Sequence, residues 1–76
     1  MYSEKNLKYR VNELTPREKE VLELTADGYT SSEIASKWGL HTRSITSYNM
    51  IIKDKLESKN MAHAVAKYIR GNDGYK

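Results

Sequence analysis

The segment 30–56, TSSEIASKWGLHTRSITSYNMIIKDKL, decides the fold because it contains two helical patterns separated by a glycine. Thr30 and Glu33 form a Thr-x-x-Glu capping box, which predicts that a short helix begins here and runs to about Trp38. Gly39 follows as a residue that tolerates positive φ, so it is expected to end this helix. A second helix starting directly afterwards makes a helix-turn-helix pattern.

That second helix is predicted over about residues 42–56 and has two distinct faces. Apolar side chains recur at spacings of three and four on one stripe, which consists of Ile45, Tyr48, Ile52 and Leu56. The opposite face carries Arg43, Thr46, Ser47, Met50 and Lys53. We therefore expect one face to pack and the other to contact a partner. Leu40, in the turn before this helix, is expected to return to the core.

A further helix is predicted on the N-terminal side of this pair. Thr15 and Glu18 repeat the capping box, and Pro16 occupies the first helical position, where its missing N–H has no cost. The helix is expected to continue to Asp27 and to end at Gly28.

A fourth helix is predicted over about residues 61–70, with Asn60 as its cap. Its core side carries Met61, Ala64, Val65 and Tyr68. A second apolar line consists of Ala62, Ala66 and Ile69. A helix that is apolar on two sides of so small a chain predicts contact with another chain.

No stretch alternates apolar and polar residues as a strand does, so the predicted fold is all-α with four helices. Residues 14–70 are expected to form the domain, and residues 1–13 and 71–76 to be flexible. With 76 residues, a deep substrate cavity would compete with the core for the same side chains. A helical binding module is therefore favoured over an enzyme.

The composition excludes several classes of site. The chain has no cysteine, and its two histidines stand apart from any carboxylate cluster, so no metal site, cofactor or catalytic residue is predicted. No apolar run approaches the roughly 20 residues of a membrane span, and the chain is expected to be soluble and cytoplasmic. Residues 28–76 carry a net charge of +4 and residues 1–27 one of −1, which together give the chain's +3. This basic C-terminal part is compatible with nucleic acid as a partner.

A set of motifs in fixed order carries a family resemblance. They are LTPREKEVL at 14–22, Gly28, Glu33-Ile34-Ala35, Ser44-Ile45, Lys55-Leu56 and Ala64-Val65. Over about 55 residues this order and spacing resembles the LuxR-type, or GerE-type, helix-turn-helix family of bacterial transcription regulators. His41 departs from the pattern, because the family usually has there a serine that caps the recognition helix.

The resemblance implies that the third helix enters the major groove of DNA and that the fourth helix forms a dimer. The base-facing positions of the family fall on Thr46, Ser47 and Met50, and on Arg43 near the start of the helix, where a phosphate contact is also expected. We call the face that carries these four residues the reading face. Phosphate contacts are expected from lysines beside it and from helix starts, where free N–H groups attract anions. This set comprises Thr30, Ser32, Lys37, Thr42, Ser44, Lys53 and Lys55.

The expected function is that of a stand-alone transcription regulator that binds double-stranded DNA sequence-specifically. A homodimer formed through Ala62, Ala66 and Ile69 would require two half-sites with centres about 10 base pairs apart. An activator would in addition contact RNA polymerase. The alternative is an adaptor that uses the same scaffold to bind a regulator or a polymerase subunit instead of DNA, since long basic side chains are scarce at the reading positions.

Four further residues are interpreted as structural. Trp38, Tyr29 and Tyr48 are expected to supply bulky core side chains, and loss of Trp38 to cost about 3 to 5 kcal/mol. Arg17 is expected to hold the first helix to the rest of the domain through an ion pair.

Overall fold

The computed structural model describes residues 13–70 with their side chains and residues 71–73 as backbone. This part of the chain contains four helices and no strand, which confirms the predicted all-α fold. We label the helices α1 (Pro16–Ala26), α2 (Ser31–Trp38), α3 (Thr42–Lys55) and α4 (Met61–Asp73). Of the predicted flexible segments 1–13 and 71–76, residues 1–12 and 74–76 lie outside the described residues.

Both predicted capping boxes are confirmed. At the start of α1 the Glu18 amide donates to Thr15 Oγ1 at 3.1 Å, and the Thr15 amide donates to Glu18 Oε1 at 2.9 Å. At the start of α2 the Glu33 amide donates to Thr30 Oγ1 at 3.1 Å, and the Thr30 amide donates to Glu33 Oε1 at 2.8 Å. Each box satisfies two amides that a helix start would otherwise leave without a partner, so the local sequence fixes where both helices begin.

The other two helices begin differently. The predicted cap of α4 is confirmed, because Asn60 Oδ1 accepts from the His63 amide at 2.8 Å. At the start of α3, His41 occupies the N-cap position but its side chain makes no capping hydrogen bond. The departure noted at His41 therefore leaves α3 without the side-chain cap that α1 and α2 have.

Helices α1, α2 and α3 all end in the same type of turn, in which one residue takes positive φ. Gly28 has φ +99° and Gly39 has φ +69°, as their predicted role requires. At the end of α3 the position is occupied by Glu57, with φ 51°. Lys67 of α4 donates to the carbonyl oxygens of Leu56 and Glu57 at 2.7 and 2.8 Å, so it satisfies acceptors at the end of α3.

The core lies where the four helices meet. Its fully or nearly buried apolar side chains are Leu14, Val21, Leu22, Ile34, Ala35, Ile45, Ile52, Leu56, Ala64 and Tyr68. On α3 the predicted stripe is confirmed, since Ile45, Ile52 and Leu56 are buried and Tyr48 packs against them half-buried. Tyr68 also links α4 to α1, because its hydroxyl donates to Glu23 Oε2 at 2.8 Å.

Two side chains predicted in the core are exposed. Leu40 and Tyr29 are each 40% exposed. Their backbone amides complete the closing turns of the preceding helices, with Leu40 N donating to Ala35 O at 2.8 Å and Tyr29 N to Leu24 O at 3.0 Å. The prediction was wrong for both residues because these turns fix the backbone and direct the side chains outward.

Two further expectations need correction. Helix α4 runs three residues beyond Arg70, because Gly71 keeps helical backbone and does not take the positive φ that ends α1 and α2. The ion pair of Arg17 lies within α1, to Glu20 at 3.6 Å. The contact of Arg17 with another helix is with Trp38, whose ring centroid lies 4.2 Å from the guanidinium carbon.

Trp38→Ala is expected to lower the free energy of unfolding by about 2 kcal/mol, as measured by urea denaturation. The expected loss is smaller than the 3 to 5 kcal/mol of a fully buried ring because Trp38 is half-buried. Arg17→Ala, which removes the cation over the ring and the exposed ion pair with Glu20, should cost about 0.5 to 1 kcal/mol. If Trp38→Ala unfolds at the same midpoint concentration of urea as the wild type, the ring does not contribute to packing.

Candidate nucleic-acid interface

Helix α3 presents one face to the core and the other to solvent. Arg43, Thr46, Ser47 and Met50, the predicted base-facing residues, are all exposed. Met50 is 67% exposed, more than any other large apolar side chain in the described part of the chain. The three buried residues of the stripe hold the opposite side of the helix, so the exposed face is fixed in place and free to meet a partner.

The hydroxyl of Thr46 is already engaged within the helix. Its Oγ1 donates to the carbonyl oxygen of Arg43 at 3.0 Å. The proton is therefore used, while the oxygen lone pairs and the methyl group remain directed outward. Thr46 thus offers an acceptor and an apolar contact, the kinds of group that the amino hydrogens and thymine methyl of the major groove would meet.

The start of α3 is suited to an anion. The Ser44 amide donates to His41 O at 2.9 Å, whereas the Thr42 and Arg43 amides have no acceptor among the described residues. No acidic residue lies in the first turn of α3. Since His41 provides no side-chain cap, the positive end of the helix dipole and two N–H groups stay open to a phosphate.

The start of α2 is less favourable for an anion. Thr30 and Ser32 are exposed there, as a phosphate contact requires. The capping box, however, keeps the Glu33 carboxylate at the same helix end, where it accepts from the Thr30 amide. A phosphate at α2 would therefore lie near a negative charge that is absent from the start of α3.

The predicted lysine contacts have different surroundings. Lys37 is exposed at the end of α2, with its Nζ 5.8 Å from the centroid of the Tyr29 ring. Lys53 is half-buried on α3. Among the predicted helix-start contacts of α3, Thr42 is exposed and Ser44 is half-buried.

Lys55, also predicted as a phosphate contact, is used inside the domain. Its Nζ lies 2.9 Å from Glu18 Oε1 and 3.0 Å from the carbonyl oxygen of Glu13. The Glu18 side chain is only 6% exposed, so Lys55 neutralises a carboxylate that has little access to water. The ammonium group of Lys55 therefore serves the fold, and Lys55 is not a candidate phosphate contact.

The same ion pair sets the protonation of Glu18. Burial by itself would raise the pKa of this carboxyl. The hydrogen bonds from Lys55 and Thr15, together with the positive charge of Lys55, outweigh burial and hold the pKa below its ordinary value of 4.5. Glu18 was predicted only as a capping residue, and its contact with Lys55, 37 positions away, has no signal in the local sequence.

Sequence reasoning also missed Asn49. Its Nδ2 donates to Ser31 Oγ at 3.1 Å, which ties α3 to the first residue of α2. Its Oδ1 is shielded from solvent and finds no hydrogen-bond partner among the described residues. This contact connects α3 with the start of α2, and both helices carry residues of the candidate interface.

The charge of this domain is balanced. Residues 13–73 contain nine Lys or Arg and nine Asp or Glu, so the entire excess of +3 belongs to residues 1–12 and 74–76. The candidate interface therefore depends on where individual charges lie, because residues 13–73 have no net positive charge to attract DNA.

The predicted dimer line on α4 lies away from the core. Ala62 is exposed, Ile69 is 47% exposed and Ala66 is half-buried. The buried side of the same helix carries Ala64 and Tyr68. The small residues of this line would let a second helix approach closely.

The geometry defines a helix-turn-helix domain, in which α2 packs against α3 and leaves one face of α3 open. The chain belongs to the luxR family of bacterial regulatory proteins, whose family model matches residues 12–68. This confirms the family resemblance drawn from the sequence motifs. The family is one of transcription regulators and not of enzymes.

Two curated relatives support this assignment. The chain is 45% identical over 56 residues to the transcriptional regulatory protein DesR of Bacillus subtilis, a match that covers 74% of this chain and 28% of DesR. It is 33% identical over 61 residues to the methanol utilization control regulatory protein MoxX of Paracoccus denitrificans, covering 80% of this chain and 27% of MoxX. The chain thus spans less than a third of either relative.

No solved structure matches the chain. Among the described residues, no helix has both the length and the apolar character needed to cross a lipid bilayer.

Proposed function

We propose that this domain binds double-stranded DNA sequence-specifically, with α3 in the major groove, and thereby regulates transcription. The observation that carries the proposal is the two-sided character of α3, whose buried stripe anchors the helix while Arg43, Thr46, Ser47 and Met50 are exposed. The major groove of B-DNA admits an α-helix, and its base edges offer the hydrogen bonds and methyl groups that such side chains read.

Phosphate groups on either side of the groove would position the helix. In the proposed arrangement the open amides of Thr42 and Arg43 bind one phosphate at the start of α3, close to the Ser44 hydroxyl. The Arg43 side chain, at the same end of the exposed face, adds a positive charge to this phosphate contact. Thr30 and Ser32 at the start of α2, and the side chains of Lys37 and Lys53, provide further contacts. These contacts fix orientation without reading sequence.

We further propose that two copies pair through Ala62, Ala66 and Ile69 of α4. The exposure of this apolar line supports the pairing, because its side chains would be removed from water in a dimer. A twofold axis through α4 would present two α3 helices to half-sites about one helical turn of DNA apart.

Arg43→Ala and Thr46→Ala are expected to affect DNA binding in different ways. Arg43→Ala should weaken binding to all duplexes and reduce the slope of log K against log salt by about one unit, because one cation is lost. Thr46→Ala should change the preference at one base pair and leave the salt slope unchanged, because it removes an acceptor and no charge. Fluorescence anisotropy with selected and random duplexes at several salt concentrations measures both effects.

Lys19→Ala is the matched control for Arg43→Ala, since it removes a cation from α1. It should alter the salt slope much less than Arg43→Ala. The opposite pattern, with Thr46 governing the salt slope and Arg43 the base preference, would contradict the assignment of roles on α3. A wild-type domain that forms a tight protein complex and shows no salt-dependent DNA binding would favour the adaptor function instead.

A further inference from the structure

A carboxylate lies on the reading face of α3. Asp54 is exposed and stands eleven residues after Arg43 and four after Met50. At 3.6 residues per turn, these spacings put the three side chains on one line along the helix. Asp54 is therefore on the base-facing line, about 6 Å further along the axis than Met50.

Asp54 has no evident role in stabilising the fold. Its carboxylate makes no ion pair or hydrogen bond with another side chain in the described part of the chain, although Lys53 and Lys59 line the same shallow surface depression. It also lies in the last turn of α3, where the negative end of the helix dipole disfavours an acidic residue. Stability alone would thus favour a neutral or basic residue here.

A carboxylate in the major groove distinguishes the base edges that it meets. It only accepts hydrogen bonds, so the amino groups of cytosine and adenine are suitable partners. The O6 and N7 atoms of guanine and the O4 atom of thymine are acceptors, and they repel it as phosphates do. At every DNA sequence that does not place an amino group opposite this carboxylate, its negative charge therefore remains uncompensated.

We propose that Asp54 is a specificity-determining residue that selects a cytosine or adenine amino group and weakens binding to all other sequences. This inference rests on the proposed function, in which α3 enters the major groove. Since residues 13–73 carry no net charge, one repulsive carboxylate on the reading face weighs heavily against a small number of attractive contacts.

Asp54→Asn tests this role because the amide keeps the shape and an acceptor, loses the charge and adds a donor. We expect the affinity for random duplexes to rise about threefold or more, and the ratio of cognate to random affinity to fall about tenfold. The cognate duplex is one selected from a random library by the wild-type protein. The preference for cytosine or adenine at one base pair should become weaker. Asp54→Ala should also raise the affinity for random duplexes and lower the ratio of cognate to random affinity.

Asp27→Asn is the matched control, because it makes the same change at an exposed residue at the end of α1. It should leave the ratio of cognate to random affinity unchanged. An unchanged ratio in Asp54→Asn, with the wild type binding and selecting DNA, would overturn this inference alone. A wild type without salt-dependent duplex binding would overturn the proposed function and this inference together.

Discussion

Lys55→Met is expected to lower the free energy of unfolding at pH 7 by about 3 kcal/mol, the largest loss among the substitutions considered. The substitution leaves the Glu18 carboxylate, 6% exposed, without the ammonium group that lies 2.9 Å from it. An uncompensated buried charge costs more than the pair itself contributes, because its lost hydration is not replaced. Urea denaturation followed by circular dichroism measures the loss.

The pH dependence of this effect follows from the lowered pKa of Glu18. Because this pKa is lower in the folded state than in the unfolded state, the ion pair stabilises the wild type above about pH 4.5. That stabilisation is lost as the pH falls through the folded-state pKa. In Lys55→Met the carboxyl can protonate, so the difference in stability from wild type should narrow as the pH falls below about 4.5.

The double variant Glu18→Gln, Lys55→Met distinguishes the contribution of the ion pair to the free energy of unfolding from that of the capping box. The glutamine amide introduced at position 18 still offers an oxygen to the Thr15 amide and carries no charge. The double variant should therefore recover a large part of the stability that Lys55→Met loses. A double variant as unstable as Lys55→Met would show that the apolar stem of Lys55, and not its charge, is responsible.

Ala66→Glu is expected to convert the proposed dimer into monomers of 8.8 kDa in analytical ultracentrifugation. Two carboxylates would face each other across the twofold axis and lose hydration there. The affinity for a two-half-site duplex should fall by about 100-fold or more, because each half-site then binds its domain independently. The affinity for an isolated half-site should stay within about a factor of two.

Ala26→Glu provides the control for Ala66→Glu, since it places the same side chain on an exposed position of α1. This variant should sediment as the wild type does and bind the two-half-site duplex equally well. A persistent dimer in Ala66→Glu would place the interface elsewhere on the domain.

The parts of the fold that depend on local sequence could be predicted. Thr15 with Glu18, and Thr30 with Glu33, form their hydrogen bonds within three residues, so the letters alone indicate where α1 and α2 begin. The buried stripe of α3 follows from helical periodicity in the same way. Its exposed face is the complement of that stripe, and the family resemblance indicates which residues of that face are base-facing.

The contacts between distant positions could not be predicted. Glu18 and Lys55 are 37 positions apart, and Ser31 and Asn49 are 18 apart, so neither pair leaves a pattern in any local window. A lysine on a recognition helix looks the same in the sequence whether it binds phosphate or a buried carboxylate. The exposure of Tyr29 and Leu40 escaped prediction for a related reason, because residue type does not reveal the direction in which a turn points a side chain.

The hydrogen bonds from Lys67 to the end of α3 limit how far α3 can move relative to α4. The Lys67 ammonium group holds two carbonyl oxygens at 2.7 and 2.8 Å, which joins α4 to the last turn of the helix before it. In a dimer formed through α4, these two hydrogen bonds would prevent each α3 from rotating relative to the dimer interface. The distance and the angle between the two α3 helices would then be fixed. A DNA site with one base pair inserted between its two halves would no longer match both helices.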